Sequence, residues 1–103
     1  MYEKIKIFAH LELFEGENMR KTPFLSGYRP VFEFEGARTK ISARIDLIDN
    51  ENFLPGTSGI VQITFLKGMI SDDCFKKGEP FVISEGGKYN LGKGEIIGVI
   101  NNK

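Results

Sequence analysis

Between Gly87 and Gly94 the chain reads Gly-Lys-Tyr-Asn-Leu-Gly-Lys-Gly. Two glycines at that spacing before a lysine match the start of a phosphate-binding loop, whose backbone N–H groups cradle an anion. The match fails at Gly94, where a Ser or Thr hydroxyl would hold a magnesium ion. It fails again in context. Such a loop opens a helix whose dipole faces the phosphate, whereas Glu95 to Ile100 is rich in β-branched residues and predicts a strand. The segment is better explained as a glycine-rich hairpin in which Gly86, Gly87, Gly92 and Gly94 supply unusual backbone angles.

Other reactive side chains stand alone. His10 is the only histidine and Cys74 the only cysteine, which excludes a zinc site of four cysteines or of two cysteines and two histidines. It also excludes an internal disulfide, and a lone thiol suits a reducing cytoplasm. Phe75 beside Cys74 favours a partly buried, unreactive thiol. Carboxylates are scattered: Glu33 and Glu35 share a strand face, Asp72-Asp73 lie in a loop, and Glu33 has Lys40 or Arg44 as cross-strand partners. Nothing assembles a catalytic constellation, a metal site or a cofactor site, so a non-catalytic protein is expected.

Basic and aromatic residues do share segments: Arg20-Lys21 with Phe24, Tyr28-Arg29, and Lys88-Tyr89 followed by Lys93. Cations neutralise phosphate and rings stack on bases, so interleaving of this kind suits RNA. Lysine and arginine stems also cover rings on ordinary surfaces, and the pattern alone leaves both explanations open.

The elements that position these residues follow from period-two alternation. Ile5, Ile7, Ala9, Leu11 and Leu13 oppose Lys4, Lys6, His10 and Glu12, with Phe8 interrupting the polar face. Residues 20–30, with Pro23, Gly27 and Pro30, predict an ordered loop. Phe32 and Phe34 alternate with Glu33 and Glu35 in a second strand. Ile41, Ala43, Ile45 and Leu47 oppose Lys40, Ser42, Arg44 and Asp46 in a third. Residues 59–66, 81–84 and 95–100 supply three more, with an irregular stretch over 67–79.

Six short strands and no helical periodicity indicate an all-β fold, sandwich or closed barrel, in one domain over residues 1–103. A content of 41% hydrophobic and 12% aromatic residues excludes a disordered chain. No apolar run approaches the roughly 20 residues that span a bilayer, and no membrane partner is expected. Fourteen basic residues balance fourteen acidic ones, so RNA binding would need a local patch.

At these same segments the sequence resembles the third, C-terminal domain of elongation factor Tu, the translational GTPase that delivers aminoacyl-tRNA. The run from Arg20 through Thr22-Pro23-Phe24 and Gly27-Tyr28-Arg29-Pro30 to Phe34 is similar to the family's Arg-His-Thr-Pro-Phe and Gly-Tyr-Arg-Pro-Gln-Phe stretch. Leu54-Pro55-Gly56-Thr57 resembles its Met-Pro-Gly-Asp turn. Phe81 to Lys88 and Gly92 to Ile97 resemble its Glu-Gly-Gly ending. The resemblance implies a six-stranded antiparallel barrel of Greek-key type.

It also implies a role in translation, binding a tRNA arm or other structured RNA. By position the RNA contacts fall to Arg20, Lys67, Glu85, Gly86 and Lys88. Arginine forks onto phosphate, a carboxylate accepts from a 2′-hydroxyl, and glycine admits a close backbone. Lys21 replaces the family's histidine, Val31 replaces a glutamine, and residues 68–77 look inserted. The GTPase and middle domains have no counterpart, so a separate protein partner would supply them. The competing expectation is a protein-interaction module with no nucleic-acid binding, using exposed apolar surface at Phe8, Tyr28 and Val31.

Overall fold

A computed structural model describes residues 4–35, 40–66 and 74–100. Among them there are seven strands, all paired antiparallel, and no α-helix: β1 (Lys4–Leu13), β2 (Val31–Phe34), β3 (Lys40–Ser42), β4 (Arg44–Leu47), β5 (Ser58–Leu66), β6 (Pro80–Ser84) and β7 (Gly92–Ile100). They make one curled sheet with the form of a half-barrel, in the order β3-β2-β6-β7-β1-β5-β4. No helix among the described residues is long and apolar enough to cross a membrane.

Alternation decides which side of the sheet each residue takes. Ile7, Ala9, Leu11 and Leu13 of β1 are buried, while Phe8, His10 and Glu12 are exposed. Val61, Ile63 and Phe65 of β5 point inward in the same way. Inside the curl, Phe32, Phe34, Phe65, Phe75 and Phe81 form one aromatic cluster, with ring centroids 5.1 Å apart for Phe65–Phe75 and 5.7 Å for Phe34–Phe81. Tilted and edge-on pairs at such spacings suit the ring quadrupoles and bury large apolar area. Cys74 is buried in the same cluster.

The third strand read from the sequence is two elements. β3 pairs with β2, and β4 pairs with β5. Buried Ala43 lies between them and donates its N–H to the Pro30 carbonyl at 3.3 Å. The first and last strands of the sheet order are therefore consecutive in the chain. The loop over residues 20–30 is ordered as expected: Phe24 bridges Phe53, and Tyr28 bridges Ile45.

Two register details shape the outer surface. Lys40, Glu33, Val82, Lys93, Glu12 and Ser58 form a continuous cross-strand row, each opposite the next. Lys93 thus has Glu12 as its direct neighbour and Glu33 faces Lys40, an arrangement that balances charge across the face. In the second detail, Phe8 pairs with Gly98 but Ala9 pairs with Ile96, which leaves Ile97 as the extra residue of a bulge. A bulge re-aims a side chain, and here it turns an isoleucine outward.

Candidate nucleic-acid interface

The loop before β2 and the hairpin after β6 meet at one carboxylate. Arg20 Nη1 donates to Glu85 Oε2 at 2.7 Å, and the Tyr28 hydroxyl donates to the same oxygen at 2.6 Å. Pro23 and the following turn fix the loop's course, so Arg20 also donates Nε to the Thr22 carbonyl at 2.8 Å and Nη2 to the Pro23 carbonyl at 3.2 Å. Its guanidinium lies 4.9 Å from the centre of the Tyr28 ring, whose other neighbour is Phe24 at 4.5 Å. Cation, phenol ring and buried Phe24 therefore form a stack that ends on the core.

This packing raises the Tyr28 pKa well above its ordinary value. Burial of the phenol is the larger cause, and the hydrogen bond to the Glu85 carboxylate adds to it, because a phenolate there would face a like charge. Glu85 holds both donors on Oε2, and no described residue donates to Oε1. The Glu85 side chain is half-exposed.

Gly86 follows with φ +88° and open space where a Cβ would stand, so the hairpin turns there through a left-handed conformation that favours glycine. Lys88 and Tyr89 extend beyond it, both exposed, with Lys88 Nζ 5.4 Å from the Tyr89 ring centre. Lys21 and Arg29, adjacent to Arg20 and Tyr28, are exposed too. Lys21 donates to the Gly16 carbonyl at 2.6 Å.

Of the residues expected at an RNA contact, Arg20, Glu85 and Gly86 are brought together, and Lys88 lies two residues further along the same hairpin. Lys67 lies outside the described residues. Arg20 is not an open phosphate fork, since three of its N–H groups serve Glu85 and two carbonyls. Lys93 belongs to the balanced row on the sheet's outer face.

The glycine-rich stretch has a different physical basis from the one expected. Only Gly86 of the four has a left-handed φ. Gly92 and Gly94 lie in β7, where an added Cβ would strike the carbonyl oxygens of Glu12 and His10, and at Gly94 also the Phe81 ring. They are glycines because strands and rings approach closely. A strand, not a helix, runs through the second half of the phosphate-loop match. Among the described residues no three metal-ligating side chains gather.

A second feature was missed. An open groove of about 1160 Å³ is lined by Phe8, Ile48, Leu54, Ile60 and Ile97, with Asp49 and Glu51 at its acidic part. Ile60 is 54% exposed and Leu54 50%. The signal was present: Val61, Ile63 and Phe65 point inward, so Ile60 must point outward. Of the expected apolar contacts, Phe8 lies in this groove, Tyr28 is turned toward Glu85, and Val31 is half-buried at the start of β2.

No protein-family model matches the chain.

Proposed function

We propose that the chain is a non-catalytic module of the elongation factor Tu third-domain type, a six-stranded Greek-key barrel that contacts structured RNA such as a tRNA arm. Counting β3 and β4 as one strand broken at Ala43 supports the closed barrel. The strand order then starts and ends on the same strand. The observation that carries the RNA reading is the meeting of Arg20 with Glu85, 65 residues apart, beneath a hairpin carrying Lys88 and Tyr89. Arg20 and the exposed Lys88 carry the cationic side chains of this loop and hairpin within a chain of zero net charge.

Roles divide accordingly. Arg20 positions Glu85, Glu85 accepts from a ribose hydroxyl through Oε1, Gly86 admits the sugar–phosphate chain, and Lys88 supplies an exposed cation. Lys67 would add a further phosphate contact. On this reading the module works in the cytoplasm alongside GTPase and middle domains.

Titration of folded tRNA at low salt tests this reading. Lys88→Ala should weaken binding by roughly threefold to tenfold and lower the salt slope by about one phosphate contact. Binding unchanged in Lys88→Ala and in the double variant Arg20→Ala with Lys67→Ala would overturn it.

A further inference from the structure

The groove beside the β5–β1–β7 face is an independent surface. Strand alternation should leave polar residues on an outer face, yet Phe8, Ile60 and the bulged Ile97 project there. Ile48 and Leu54, from the segment between β4 and β5, complete an apolar floor without closing over it. The volume of about 1160 Å³ accommodates several side chains rather than a single ring. Its charge is one-sided. Asp49 and Glu51 line it, both are exposed, and among the described residues neither forms an ion pair and no lysine or arginine lines the groove.

We propose that this groove docks a protein segment whose apolar anchor side chains are flanked by lysine or arginine. Apolar anchors fill the floor formed by Phe8, Ile60 and Ile97, and the flanking cations meet Asp49 and Glu51. The fit excludes an acidic segment, because its charges would face two carboxylates with no cation between them. It also excludes RNA at this surface for the same reason.

Three synthetic peptides of equal length test the proposal against the isotope-labelled chain by amide chemical-shift titration. One has leucine anchors between lysines, one has the same anchors between glutamates, and one has alanines between lysines. The lysine–leucine peptide should shift the amides of Ile48, Glu51, Leu54, Ile60 and Ile97. The glutamate-flanked peptide should bind about tenfold more weakly, and the alanine peptide should produce no saturable shift.

Asp49→Lys combined with Glu51→Lys should reverse the preference between lysine and glutamate flanks. Ile60→Asp, at an exposed position that leaves the core intact, should abolish saturable binding with an unchanged dichroism spectrum. Equal affinity for the two flanks, shifts that map elsewhere, or a self-association sensitive to Ile60→Asp would overturn the proposal. Lys88→Ala should leave peptide binding unaltered, so failure here and failure of RNA binding are separate results.

Discussion

Tyr28 combines a phenol hydrogen-bonded to Glu85 with a ring packed between Arg20 and Phe24, and its titration reports on all three contacts. Its folded-state pKa lies above the unfolded value of about 10. Below about pH 10 the phenol is neutral in both states and its contribution is complete. As pH rises past that point, the unfolded tyrosine loses its proton first, and stability falls. Melting curves above pH 10 should therefore decline more steeply in the wild type than in Tyr28→Phe. At neutral pH the Phe variant should lose about 1 kcal/mol, the size of one half-exposed hydrogen bond to a charged acceptor. Glu85→Gln should shift the Tyr28 phenolate transition downward, measurable by ultraviolet titration against Tyr28→Phe. No downward shift would mean that Glu85 does not hold the phenol's proton.

At the scale of elements, β7 shows how glycine can serve packing instead of turning. Gly94→Ala would push a methyl into the His10 carbonyl and the Phe81 ring, and should cost about 2–3 kcal/mol in chemical denaturation. Gly87→Ala, with open space and no left-handed φ, should stay within about 0.5 kcal/mol. The sequence displays both residues alike, since neither composition nor spacing tells a close approach from a turn. The alternation of β1 was legible, apart from Phe8, because one face is buried, and β5 was legible as a strand from its β-branched and aromatic residues. The break at Ala43 was not. Ile41, Ala43 and Ile45 all stay inside, so side-chain periodicity runs on while the backbone changes partners from β2 to β5. The bulge at Ile97 was hidden for a related reason: Ile96-Ile97 is a plain apolar pair until the register against Phe8 and Ala9 shows which one is extra. The Arg20–Glu85 contact joins segments distant in sequence, and only the pairing of β2 with β6 brings them side by side.

Across the whole molecule the two candidate surfaces differ in character, one built on a loop and hairpin around the Arg20–Glu85 ion pair, the other apolar and acidic around three strands. With net charge zero, long-range steering is weak, and binding at either surface should depend on its local charges. The core beneath them is shared. Phe65 touches Phe32, Phe34 and Phe75, and Phe65→Ala should destabilise the fold by about 3–5 kcal/mol by calorimetry or denaturant melts. Among the described residues β1 comes first and β7 last in sequence, and β1 sits between β5 and β7 in the sheet. During vectorial synthesis both edges of β1 therefore stay unpaired until β5 and β7, distant in sequence, have emerged. Chains truncated after Asn90, which lack β7, should accordingly leave one edge of β1 unpaired and be more protease-sensitive than the chain that carries β7, as limited proteolysis would show.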